Sequence, residues 1–133
     1  MNENIVFDPQ QELFTEAKIA VEAQGKAVYD GVLPPDGTPY PFVYLGDCQQ
    51  LDAQSKSGVF CRVVLTTHVF HNNIRQRGTV SQMLGEIKAA YRQIERTAHY
   101  SWTIRGITQH IIPDKTTTAP LLHGVLSVEW ELS

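Results

Sequence analysis

The chain has 133 residues, enough for one domain that buries roughly two-thirds of its unfolded surface and needs neither disulfide nor metal to be stable. Its formal net charge of −3 argues against a dedicated nucleic-acid binder, which would carry a basic excess on one face. No apolar run approaches the length of a membrane span, and Met1-Asn2-Glu3-Asn4 lacks the basic-then-apolar pattern of a signal peptide, so a soluble protein is expected.

In chain order, Asp8-Pro9-Gln10-Gln11 starts a helix. Asp8 can cap, Pro9 suits the first helical position, and Gln11 stands at the reciprocal capping-box position. Leu13, Phe14, Ala17, Ala20 and Val21 form one apolar stripe, and Gly25 ends a helix expected over Pro9–Gln24. A brief strand, Ala27 to Tyr29, precedes a loop with Pro34, Pro35, Pro39 and Pro41 and two Asp-Gly turns. Proline fixes φ, so this loop should be stiff.

Phe42 to Gly46 resumes as a strand that continues through Cys48 to a polar loop at Leu51–Gly58, and Val59 to Phe70 returns. Residues 42 to 70 thus read as one long hairpin. In the returning strand Val59, Cys61, Val63, Leu65, Thr67 and Val69 share the face expected to meet the helices. Phe60, Arg62, Val64, Thr66, His68 and Phe70 share a mixed second face suited to a partner chain. Cys48 and Cys61 would face each other if the hairpin turned near Gln54-Ser55. Two unpaired small thiols are the favoured reading.

After the joint His71–Gly78, a second helix is expected over Val80–Ala98, with Thr79 as cap and Gln82 completing a capping box. Its outer face carries Glu86, Lys88, Arg92, Glu95 and Arg96. Ser101 to Ile112 reads as a strand, residues 113–120 as a loop, and His123 to Leu132 as a final strand. In that strand Leu126, Val128, Trp130 and Leu132 alternate with Val125, Ser127, Glu129 and Glu131. The order α-β-β-β-α-β-β predicts an α+β fold of one domain, a mainly antiparallel sheet with both helices on one face.

Chemistry is sparse. His68 and His71 point to opposite faces, His99, His110 and His123 are scattered, and no customary zinc spacing occurs, so no metal or cofactor is expected. No Gly-x-Ser-x-Gly elbow or phosphate loop is present, Cys48 and Cys61 lack activating neighbours, and Glu129/Glu131 read as a solvated edge. Arg75 and Arg77 on the joint, with Lys88, Arg92 and Arg96 beyond, read either as solvated charges or as a contact surface for an acidic partner.

Four places together resemble the tail-completion proteins, or tail terminators, of long-tailed bacteriophages and prophages. They are Val28-Tyr29-Asp30-Gly31-Val32 before the proline loop; Tyr40 to Asp47; Leu65 to Phe70 running into the Arg/Gly joint and helix; and His123-Gly124-Val125-Leu126-Ser127-Val128. The joint departs from the family pattern in its longer His71-Asn72-Asn73-Ile74 segment. The resemblance implies a structural protein without enzymatic activity, assembled in the bacterial host cytoplasm as a ring, typically a hexamer, on the head-proximal end of the tail tube. Such a ring ends tube polymerisation and offers a surface to neck and head-completion proteins. The expected partners are therefore further copies of the chain, the tail tube protein and a neck protein. The expected interface comprises Pro34, Pro35, Tyr40, Phe42, Tyr44, Phe60, Arg62, His68, Phe70, Arg75 and Arg77. A head-completion or connector protein of the same virion, or a small-molecule-binding α+β domain, are the alternatives.

Overall fold

A computed structural model describes residues 7–55, 58–115 and 119–133. The expectations for the N-terminal residues, for Lys56-Ser57 in the hairpin turn and for Thr116-Thr117-Thr118 in the last loop lie outside the described residues. The elements are α1 (Pro9–Glu22), β1 (Val28–Asp30), β2 (Phe42–Ser55), β3 (Gly58–His71), α2 (Arg77–Arg92), β4 (Trp102–Asp114) and β5 (Leu121–Leu132). They build one five-stranded sheet in the order β1-β2-β3-β5-β4. Every strand pair is antiparallel except β1 with β2, which is parallel because the proline loop carries the chain back to the starting end. The fold is the α+β arrangement expected from the sequence.

Both helices cover the same face. Leu13, Ala17 and Val21 of α1 and Val80, Leu84, Ile87 and Tyr91 of α2 are fully buried against Val43, Leu45, Val63, Leu65, Val69, Leu126, Val128 and Trp130 of the sheet. These strand residues recur at every second position, so alternation places one whole side of each strand in the core. Gly124 permits the closest approach of α2 to β5: a Cβ there would lie 2.8 Å from Val80 Cγ1 and 2.9 Å from Leu84 Cδ1. Among the described residues the one buried polar residue of the core is Thr67, whose Oγ1 hydrogen-bonds Tyr91 Oη at 2.7 Å. The helices are also tied by Gln24 Nε2 donating to the Glu86 carbonyl at 2.8 Å and by Lys26–Glu86 at 2.9 Å.

Several local expectations need correction. In α1 Asp8 does cap, accepting from Gln11 N at 3.0 Å, but the Gln11 side chain donates to Thr15 Oγ1 and closes no capping box. α2 starts at Arg77 and ends at Arg92, so Thr79 lies inside it and bonds Gln76 Oε1, and the N-cap Gln76 makes no side-chain cap bond. Apolar spacing past Arg92 was misleading: Ile94 is buried from a non-helical turn, whose backbone bridges to Ser101. Leu51 to Ser55 is strand, because cross-strand pairing with Gly58–Arg62 outweighs its polar turn composition. The longer hairpin, with a bulge between Leu45 and Cys48, pairs Cys48 with Leu65 and Cys61 with Asp52, so the two free cysteines are not opposite. Their registers differ by four residues, about 13 Å along the strands, too far for a disulfide. Pro113 falls within β4, which is tolerated because β4 is an edge strand.

Candidate functional site

The side of the sheet away from the helices has no covering layer among the described residues, and its side chains divide into two districts. At one end lie the start of β2, the ends of β3 and β4 and the start of β5, together with the proline loop and the joint to α2. Here Tyr29, Tyr40, Phe42, Phe70, His68 and His123 form a continuous aromatic cluster, with ring centroids 4.4–6.0 Å apart from pair to pair. The proline loop folds over this cluster and leaves a groove of about 260 Å³ lined by Leu33, Pro34, Tyr40, Phe42, Phe70 and Leu121. Gly31 and Gly37 take φ values of 80° and 89°, supplying the left-handed turns that close the loop. Tyr44 Oη donates to the Gly31 carbonyl, Thr38 Oγ1 to the Pro35 carbonyl, and Lys18 pairs with Asp30 at 2.8 Å.

His68 Nδ1 and His123 Nε2 lie 2.7 Å apart. Burial lowers the pKa of both, and each is lowered further by a neighbouring histidine, His123 beside His68 and His110 beside His123, while Asp114 opposes the shift at His123. One imidazole must donate and the other accept, so the neutral pair satisfies the contact and a doubly protonated pair cannot. His68 packs against Gly46 at the bulge, where a Cβ would lie 2.7 Å from its Nε2.

The other end of the open face is charged. Arg62 pairs with Glu131 at 3.1 Å and Glu129 at 3.6 Å, and Arg105 joins at 3.3 Å from Glu131. Glu129 and Glu131 are therefore not a solvated edge: β5 lies between β3 and β4, and both carboxylates are engaged. Phe60, 42% exposed, stands beyond them near the hairpin tip.

The structure brings Pro34, Pro35, Tyr40, Phe42, Tyr44, His68 and Phe70 together at the aromatic end. Phe42 is only 5% exposed and supports its neighbours from below. Phe60 and Arg62 share the face but sit about 30 Å away along β3. Arg75 and Arg77 are exposed at the joint, on the aromatic end, where Asn73 Oδ1 accepts from Arg75 N. The basic cluster is split, since Arg92 and Arg96 border a separate 520 Å³ hollow at the far end of α2 and Lys88 turns to Gln109 Oε1. Sequence reasoning missed His123, Arg105 and Leu121 as members of this face; the β3–β5 and β4–β5 registers place them, although alternation along β5 already put His123 on the side of Val125.

Burial raises the pKa of both thiols, that of Cys61 to about 11, which disfavours the thiolate form. Among the described residues no three histidine, cysteine or acidic side chains converge to hold a metal ion, and no helix is long and apolar enough to cross a membrane.

The fold and its open face define a class, a two-layer α+β domain with an unpartnered sheet side. No family model and no curated protein matches the chain. Solved structures do. A chain from the virion of a native gene transfer agent particle matches with a TM-score of 0.60 and 16% identity over 93% of each chain. A second solved chain, known only by a sequence identifier, matches with a TM-score of 0.58 and 15% identity over 95% of this chain and 97% of its own. The type 4 fimbrial biogenesis protein PilO from Pseudomonas aeruginosa, at a TM-score of 0.42 and 8% identity, is too distant to carry an argument. At these identities the likeness establishes a shared fold.

Proposed function

We propose that this chain is a structural virion protein without enzymatic activity, a tail terminator that forms a ring on the head-proximal end of a phage-type tail tube. The ring ends tube polymerisation and offers a joining surface to a neck or head-completion protein. The observation that carries this reading is the fold shared end to end with a chain of a gene transfer agent virion, with 93% of both chains matched. The motif resemblance to tail terminators points the same way, as does a sheet face that, among the described residues, carries no layer beyond the proline loop at its aromatic end.

A closed ring needs a heterologous interface, with two different patches on each copy. We assign ring contacts to the hairpin and proline loop, through Pro34, Pro35, Tyr40, Tyr44, Phe60, Arg62, His68 and Phe70, with Phe42 as support. Arg75 and Arg77 are assigned to an acidic partner surface. Cations at a helix N-terminus oppose the macrodipole and cost about 0.3–1 kcal/mol each, so stability does not explain their position. The α2 start also lacks both a side-chain cap and a first-turn acid.

Sedimentation and negative-stain microscopy of the purified protein over a wide concentration range test the proposal. Ring particles, alone or nucleated by tail tube, are expected. A strict monomer that ignores tube would overturn it, and capture by portal-side proteins in place of tube would move the chain to a connector role.

A further inference from the structure

The sheet ends in two free backbone edges of matching length. On one side β1 covers only Val43–Leu45 of β2, and Gln10 Nε2 donates to the Cys48 carbonyl at 2.6 Å. Beyond that point the outer edge of β2 over Gln49–Ser55 makes no backbone hydrogen bond with any described residue outside the hairpin. On the other side β4 is the outermost strand, and its outer edge over Gly106–Ile112 is equally unpaired.

Natural sheets blunt such edges with charges, prolines or bulges. β4 carries its bulge at Arg105 and its proline at position 113, which bracket the segment and leave it open. Gly106-Ile107-Thr108-Gln109-His110-Ile111-Ile112 contains no lysine, arginine, acid or proline and is rich in β-branched residues. On the β2 edge Asp52 is the single charge in seven residues. Each edge also leaves one large apolar side chain exposed on the open face, Leu51 at 43% and Ile112 at 45%.

We infer that β4 of one copy pairs with the Gln49–Ser55 edge of β2 in the next copy, so that the sheet continues from subunit to subunit. This rests on the ring proposed above and adds a backbone contact to the side-chain contacts assigned there. Strand directions agree with it: β2, β3, β5 and β4 alternate in direction, so β4 runs opposite to β2. Copies that point the same way around a ring axis therefore meet as an antiparallel pair. The contact is heterologous, which is what ring closure requires. Strand twist of about 20–25° per neighbour turns each added subunit relative to the last. Pairing covers Leu51 and Ile112 and satisfies both edges over about 23 Å.

Two blocked variants test it: Thr108→Lys/His110→Lys on the β4 edge and Gln49→Lys/Leu51→Lys on the β2 edge, each checked for a folded circular dichroism spectrum. If one fails to fold, hydrogen exchange on wild-type assemblies is the second measurement. Neither variant alone should self-associate, while an equimolar mixture should give a dimer and nothing larger, because one intact edge of each kind remains. In wild type, the outward-pointing amides of residues 49–55 and 106–112, every second one along each edge, should exchange about tenfold or more slowly in the ring than in the monomer. Rings that persist in either variant, or that form without protection of those amides, overturn the edge contact and leave the ring proposal standing. Wild-type protein that never assembles, with or without tube, overturns both.

Discussion

Replacing Thr67 with valine isolates a buried hydroxyl pair in a core that is otherwise mostly apolar among the described residues. Thr67 and Tyr91 are fully buried, and their hydroxyls lie 2.7 Å apart between β3 and α2. Burial raises the Tyr91 pKa, so the phenol stays neutral and the contact is an ordinary hydroxyl pair. Valine keeps the shape and the strand preference but leaves the tyrosine hydroxyl buried without a partner, a loss of about 1–3 kcal/mol. For a domain of this size that lowers Tm by about 4–10 °C. Tyr91→Phe strands the threonine hydroxyl in the same way. The double variant removes both polar groups and should lie within about 1 kcal/mol of wild type, so the two single losses do not add. Urea unfolding of the four proteins measures the cycle. Additive losses, or a Thr67→Val protein as stable as wild type, would falsify the claim that this bond ties α2 to the sheet.

Glycine substitutions should differ in sign: Gly124→Ala drives a Cβ into Val80 and Leu84 and should cost about 1–3 kcal/mol, whereas Gly85→Ala meets nothing within 4 Å and should gain about 0.5–1 kcal/mol from helix propensity. Chemical denaturation of the pair checks this, and equal effects would contradict the close approach of α2 to β5. Arg77→Glu should raise stability slightly, by about 0.3–1 kcal/mol, because an acid suits the first turn, yet weaken docking to the acidic partner. Thermal melts with a tube-binding assay separate the two readouts, and unchanged docking removes Arg77 from the contact. The His68–His123 pair sets a pH dependence. Both pKa values are lowered by folding, so the unfolded chain binds protons first; stability should be full above the ordinary value of 6.5 and fall as pH drops below it. Replacing both histidines with glutamine should flatten that slope in urea midpoints, and an unaltered slope would assign it to other groups.

The periodicities carried most of the fold. Alternation in Cys61–Val69 named the core side of β3 correctly, and in Leu126–Trp130 it separated the two sides of β5, because a residue's side on a strand is local information. Where pairing decides, local composition misled: Leu51–Ser55 looks like a turn and is strand, and Ile94 kept helical spacing after α2 had ended. The site was legible in outline and not in register. Phe60, Arg62, His68 and Phe70 were assigned to one side from β3 alone, but their partners, Glu131 across from Arg62 and His123 beside His68, come from a strand some 55–69 positions away. Nothing local fixes that offset.

The central claim, that this chain caps a tail tube as a ring, is tested most directly by electron microscopy of tails carrying a gold-labelled copy of the protein. The account predicts a single collar of label at the tube end that faces the head. Label distributed along the tube, confined to the capsid, or absent from the particle would contradict it.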